Sequence, residues 1–185
     1  MTADPHARHA LVVVDVQRGF DDGDAFGARD NPACEDNVAA LIAAWRSAGR
    51  PVVFVRHDWE EPGAPLEPGS PGHAFKDAVS GEPDLLVTKT AHSAFLGTPD
   101  LAAWLRDREL EGIVVCGITA DHCVSTTVRM GADLGFDVVL AADATHAFAR
   151  TGRGGEAIPA EMVSLVTIAS LDEEFATVAA TDDLI

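Results

Sequence analysis

Short apolar runs rich in β-branched residues recur along the chain, and stretches with helical spacing lie between them. The runs are Ala10–Val14 (ALVVV), Pro51–Val55 (PVVFV), Asp84–Thr88 (DLLVT), Ile113–Cys116 (IVVC), Asp137–Ala141 (DVVLA) and Phe175–Ala179 (FATVA). They carry no regular polar alternation, which suits strands buried on both faces of a parallel sheet. Helical patterns run from Asn31 or Pro32 to about Ala48, with Val38, Leu41, Ile42 and Trp45 on one face, and from Thr98-Pro99 to about Arg108, with Leu101, Trp104 and Leu105. Another follows Cys123, and a last one runs from Pro159 to about Ser170 with Met162, Leu165 and Ile168 expected to face inward. Six strands alternating with helices require βαβ crossovers. The expected fold is therefore α/β: a single-domain three-layer α/β/α sandwich around a six-stranded, mostly parallel sheet.

The 185 residues fit one domain, 1–185, with residues 1–8 expected to be flexible. Between the second and third strands lies EEPGAPLEPGSPG, whose Pro and Gly density rules out regular structure. A loop of that length in a compact domain, here 60–80, is expected to be a binding loop or lid.

The net charge is −17 and no Lys/Arg cluster is present, which argues against nucleic acid as a partner. A charge of that size bears on solubility and long-range steering and leaves the local charge of a pocket open. The three cysteines are odd in number and show no CxxC or Cys/His metal spacing, so free thiols in a reducing compartment are expected. The stretch MTADPHARHA has no apolar signal core, and no run approaches a membrane span. A cytoplasmic location, no membrane partner and no cofactor follow as expectations.

Open α/β sheets bind ligands beyond the carboxyl ends of their strands. Asp15 closes the first apolar run and Lys89 the third. The stretch Gly112–Leu140 (GIVVCGITADHCVSTTVRMGADLGFDVVL) reads as strand, tight turn and helix, with Cys123 in the first helical turn. Free N–H groups and the helix dipole there favour an anion, and a thiolate is both an anion and a nucleophile. Each residue has a plainer reading: Asp15 as a turn or capping aspartate, Lys89 as a surface lysine, Cys123 as a small buried hydrophobe. Cys34 and Cys116 read as structural. Together the trio is coherent chemistry. Lys89 would stabilise a thiolate, Asp15 would take the thiol proton and return it to a leaving amine, and N–H groups of the Gly117–Cys123 turn would hold an oxyanion. That is acyl transfer by covalent catalysis, from a small-molecule substrate to the thiol. No GxSxG elbow points to serine chemistry instead.

VVVDVQRGF, VTKTAHSAF and GITADHCVSTTVRMGADLGFDVVLAADAT, in that order, resemble the isochorismatase-like cysteine hydrolase family, which includes nicotinamidase and N-carbamoylsarcosine amidohydrolase. The resemblance extends to the closing IASLDEEFATV. It implies Asp15 as general base, Lys89 as the cation and Cys123 as nucleophile. It further implies a cis peptide between Ile118 and Thr119, with the N–H groups of Thr119 and Cys123 as oxyanion donors, and a homo-oligomer, dimer or tetramer. Nicotinamidases carry an Asp-x-His metal motif after the second strand; this chain has His57 and Trp59 there, with Asp58 between them. No metal is expected. Isochorismatases proper lack the cysteine, which leaves hydrolysis of a non-peptide C–N bond in an amide, carbamoyl, ureido or cyclic amide compound, through a thioester. Phe20, Trp59, His92, Phe95 and Thr127 are the candidate pocket residues, each with a plain core or turn alternative, and His122 is read as shaping the turn. The competing expectation is a catalytically silent or redox-sensing module on the same fold, in which Asp15 and Lys89 would be dispensable.

Overall fold

The computed structural model describes residues 6–185. Its strands are β1 (His9–Val14), β2 (Val52–His57), β3 (Leu85–Lys89), β4 (Gly112–Ile118), β5 (Asp137–His146), β6 (Arg150–Thr151), β7 (Ala157–Ile158) and β8 (Thr177–Ala179). Six of them form one parallel sheet in the order β3-β2-β1-β4-β5-β8, and β6 and β7 make a separate antiparallel hairpin. The helices are α1 (Gly23–Phe26), α2 (Cys34–Ser47), α3 (Leu101–Asp107), α4 (Ser125–Asp133) and α5 (Ala160–Leu171). This is the single α/β domain expected. No helix among the described residues is long and apolar enough to cross a membrane.

Every residue of β1 is buried, because the strand lies between β2 and β4 and is covered on both faces. Leu11 and Val13 pack with Val38, Leu41 and Trp45 of α2, while Ala10, Val12 and Val14 pack with Leu101 and Leu105 of α3, Val128 of α4 and Leu171 of α5. Full burial of one such side chain is worth about 1.5–3 kcal/mol, so the apolar runs drive the layering. The trace is tight where β4 passes β1. Gly117 has φ +122°, and a Cβ there would stand 2.0 Å from the Val14 carbonyl oxygen, so only glycine fits.

Several boundaries differ from expectation. Of residues 1–8, expected to be flexible, 1–5 lie outside the described residues. The rest form a turn anchored by His9 N–H to His6 O (3.0 Å) and by Arg8 Nε to Glu109 O (3.1 Å). The third helix starts after Asp100, whose side chain accepts the Ala103 N–H at 3.0 Å, and not at Pro99. Met162 and Leu165 of α5 face outward, as does Val166; Ala160, Ser164 and Leu171 are the buried residues. The helix is apolar on nearly every side, so periodicity could not select its face. Small residues at 160 and 164 let it approach the sheet.

The Pro/Gly-rich loop is built of turns and one short 3-10 segment, Pro71–His73, and is tied down from within. Gln17, fully buried, donates from Nε2 to His57 O (3.1 Å) and His73 O (3.0 Å) and accepts the His57 N–H at 2.8 Å. Beside it, Glu35 in the first turn of α2 accepts from both Arg29 guanidinium nitrogens (2.6 and 2.7 Å) and from Lys76 Nζ (2.7 Å), which also reaches Asp21 at 2.6 Å. Burial would raise the Glu35 carboxyl, but the hydrogen bonds from Arg29 and Lys76 outweigh it and hold it to about 2, below its ordinary value of 4.5. A depressed carboxyl contributes stability that is present above the unfolded pKa and lost as pH falls through the folded one. Glu35→Gln should therefore lower unfolding free energy at pH 7 by about 1–2 kcal/mol, and the difference from the parent should shrink between pH 4.5 and 2. Urea unfolding across that range checks it; a pH-independent difference would remove the ion cluster as the cause.

Candidate active site

Four neighbouring strands end at one edge of the sheet, and each delivers one group. In sheet order these are Lys89 from β3, His57 from β2, Asp15 directly after β1, and Cys123 from the turn after β4. Lys89 reaches over the end of β2, placing Nζ 2.6 Å from Asp15 Oδ2 and 3.0 Å from His57 Nδ1. The Lys89 and Asp15 side chains are both 0% exposed. Asp15 holds φ at +52°, an unusual left-handed backbone for a non-glycine residue, at the point where the chain leaves the strand. Its second oxygen, Oδ1, is buried without a hydrogen-bond partner. Cys123 Sγ, a carboxylate oxygen of Asp15 and a ring nitrogen of His57 lie within 4.8 Å of one another.

Ammonium carries no lone pair, so His57 Nδ1 must be the acceptor in its contact with Lys89 and the ring proton belongs on Nε2. Burial, and then the charge of Lys89, hold the His57 imidazolium down to about 4. Neutral His57 thus props the ammonium against Asp15. Asp15, His57 and Cys123 are ligand types, but Lys89 Nζ already sits against two of them, so a dication would meet a like charge at contact distance. Asp58 is engaged elsewhere, with Oδ1 2.7 Å from His73 Nε2. This set does not suit a metal ion.

Cys123 lies in a π-type turn, Ala120–Val124, rather than in the first turn of an α-helix. The Val124 N–H reaches back five residues to Thr119 O at 3.2 Å, and the wide turn carries Thr119 and Cys123 to the cavity wall. The peptide between Ile118 and Thr119 is cis. His92 Nδ1 lies 3.7 Å from Sγ. The expected thiolate is not the resting form. Burial, and next the Asp15 carboxylate, push the Cys123 thiol well above the ordinary range, and Lys89 only partly opposes them. Burial likewise raises Asp15, against the pull of Lys89, making it a stronger base than an ordinary aspartate. Cys34, pushed up to about 12 by burial, and Cys116, raised well above its ordinary value by the same cause, are core residues.

Above Sγ opens a cavity of about 720 Å³. Of the candidate pocket residues, Phe20, Trp59 and His92 line it, together with His122, which does more than shape the turn. Phe95 and Thr127 lie behind the wall. Phe95 is packed in the core against Phe136, ring centroids 5.7 Å apart, and buried Thr127 Oγ1 accepts the Ala94 N–H at 3.0 Å. Sequence reasoning missed His57, Phe26, Glu60, Glu61 and Arg150 as lining residues. His57 ends β2 as Lys89 ends β3, but the apolar run that marks β2 in the sequence stops two residues short of it, at Val55. Arg150 enters through the β6–β7 hairpin, whose two-residue strands leave no apolar run in the sequence.

Comparison with known proteins gives a consistent result. The isochorismatase-domain family model matches residues 9–173. An uncharacterized isochorismatase family protein of Bacillus subtilis is 37% identical over 179 residues, 96% of this chain and 95% of that protein. The streptothricin hydrolase of Streptomyces noursei is 33% identical, with 89% of this chain and 60% of that protein covered. The ureidoacrylate amidohydrolase of Methylobacterium radiotolerans is 30% identical, covering 74% of this chain and 66% of that protein. A crystal structure from Chromobacterium violaceum, assigned to the same family of hydrolases, has a TM-score of 0.92 at 37% identity, covering 100% of this chain and 96% of that one.

The coupling of the three buried groups is measurable without a substrate. Alkylation of Cys123 by iodoacetamide, located by peptide mass spectrometry, should titrate above the ordinary thiol value of about 8.5. Asp15→Asn removes the nearby negative charge and should move the profile about one unit down; Lys89→Ala should move it up. A profile unmoved by either change would show the groups to be electrostatically independent.

Proposed function

The chain belongs to the isochorismatase family, and from that membership and the geometry of its site we propose that it is a cysteine hydrolase cleaving a non-peptide C–N bond of a small molecule. The class is an amide, carbamoyl, ureido or cyclic amide compound. One observation carries the reading: a buried carboxylate, held through one oxygen by Lys89 at 2.6 Å and with its other oxygen unpaired, lies beside a thiol on the wall of a cavity. Relatives named as a ureidoacrylate amidohydrolase and a streptothricin hydrolase support the reaction class.

In this mechanism Asp15 Oδ1 takes the proton of Cys123 Sγ as the sulfur attacks the carbonyl carbon. The raised thiol keeps that proton on sulfur until substrate arrives, and the raised carboxyl makes Asp15 a better acceptor for it when the sulfur attacks. The N–H groups of Thr119 and Cys123 receive the oxyanion. Protonated Asp15 passes its proton to the departing nitrogen, the C–N bond breaks, and a thioester remains on Cys123. Asp15 then deprotonates a water molecule, which cleaves the thioester and returns the proton to sulfur. Lys89 holds the carboxylate in place whenever it is ionised.

The test is ammonia or amine release from a panel of primary amides, ureido acids and cyclic amides, with acid quenching to trap an acyl group on Cys123. Cys123→Ala should abolish turnover, and Asp15→Asn and Lys89→Met should each lower kcat/KM by about 10²–10⁴-fold, with folding checked by circular dichroism. Full turnover in both of the latter variants would overturn the mechanism. A reactive thiol with no turnover on any member would favour the redox-sensing alternative.

A further inference from the structure

The walls of the cavity carry more negative than positive charge. Glu60 and Glu61 line it on the segment that follows β2, and neither forms an ion pair among the described residues. Asp58 adds a third carboxylate, shared with His73. Arg150 is the one arginine or lysine among the described lining residues, and its charge is taken by Asp121, with Nε at 2.9 Å and Nη2 at 2.8 Å from the same carboxylate oxygen. Lys89 is likewise spent on Asp15 beneath the floor. Burial lowers His57 to about 4 and lowers His122, so neither adds a cation at neutral pH. A substrate carboxylate entering here would find no unpaired lysine or arginine among the described lining residues.

A second observation is independent of the charges. Trp59 stands beside the glutamates, 37% exposed, and Phe20 and Phe26 supply further aromatic surface, their ring centroids 4.9 Å apart. Aromatic faces attract cations through the ring quadrupole by about 0.5–2 kcal/mol, and favour ammonium and guanidinium groups with apolar surroundings. Carboxylates together with aromatic faces make a receptor for an organic cation. The chain's net charge of −17 acts in the same direction at longer range, raising the encounter rate of cations.

We propose that the cavity selects a cationic substrate: an amide or ureido compound whose alkylammonium or guanidinium group sits among Trp59, Glu60 and Glu61 while its carbonyl meets Cys123. The inference deepens the hydrolase reading and rests on it for the scissile bond. It assigns Glu60, Glu61 and Trp59 as the residues that set specificity.

The test reads charge selection at the thiol itself and needs no turnover. Three methanethiosulfonates are compared at one pH: the trimethylammonium-ethyl, the sulfonatoethyl and the methyl reagent. Each transfers its alkylthio group to the Cys123 thiolate, forming a mixed disulfide and releasing methanesulfinate. Each rate is divided by that of free cysteine, and the modified residue is located by peptide mass spectrometry. Cys34 and Cys116, both 0% exposed, serve as internal controls. The cationic reagent should outrun the anionic one by about tenfold or more at low salt, and the ratio should fall in 0.5 M NaCl, where screening acts over about 4 Å. Glu60→Gln/Glu61→Gln should cut the ratio at least about threefold, and Trp59→Leu should slow the cationic reagent more than the methyl reagent.

A ratio near one in the parent overturns the proposal, and so does a high ratio that the double substitution leaves unchanged. Amide turnover alongside a ratio near one sinks charge selection alone. A cationic preference without turnover on any cationic amide sinks the hydrolase reading and leaves the cavity as a cation-binding site. Failure of every reagent to modify Cys123, in protein whose three thiols react once denatured, overturns both.

Discussion

An ion pair with no solvent contact, Lys89 to Asp15 at 2.6 Å, constrains everything near it. Removing two charges from water costs several kcal/mol per ion, and only close geometry and further hydrogen bonds offset it. The protein meets that demand by converging three strand ends. Asp15 closes β1, Lys89 closes β3, and β2 lies between them and contributes His57 as the ammonium's second partner. The parallel register that aligns these ends is set by the apolar interiors of the strands, so the core and the site are solved together. The arrangement also explains the protonation states. A carboxylate that is buried yet half-satisfied is a stronger base than one in water, and burial and that carboxylate's charge both hold the neighbouring thiol protonated.

The apolar runs were legible because strands covered on both faces must be apolar along their length. What the sequence hid follows from the same rule. Arg56 and His57 pair with Thr88 and Lys89, yet their polarity makes the second run seem to end at Val55, two residues early, and so His57 was not recognised as a strand-end group. The far half of β5, Asp143 to His146, leaves the apolar pattern and still pairs with β4 at Gly117 and Ile118, beyond a register shift. The inward face of α5 was illegible for the opposite reason, since nearly every face of that helix is apolar.

Asp15 and Lys89 could be found from position alone, each a charged side chain just beyond an apolar run, and Cys123 from the turn that follows another. The charge state of Cys123 could not. A helix-terminus argument weighs only neighbours in sequence, whereas burial and Asp15, 108 positions away, dominate here. Phe95 and Thr127 fail as pocket residues on similar grounds: nearness to a motif in sequence does not decide which side of a wall a side chain occupies.

The contact between Gly117 and β1 divides the molecule into a part that tolerates change and a part that does not. At Gly117 the obstructing atoms are the backbone of Val14, the residue before Asp15, so no repacking of side chains can make room for a larger residue. The corner holding carboxylate and thiol is therefore specified by main-chain geometry. The cavity mouth is specified by the side chains of Trp59, Glu60 and Glu61 on a loop whose path is held from beneath by Gln17. Selection or design can rewrite the mouth one residue at a time, exchanging one ligand chemistry for another, while the buried corner beneath it stays as it is.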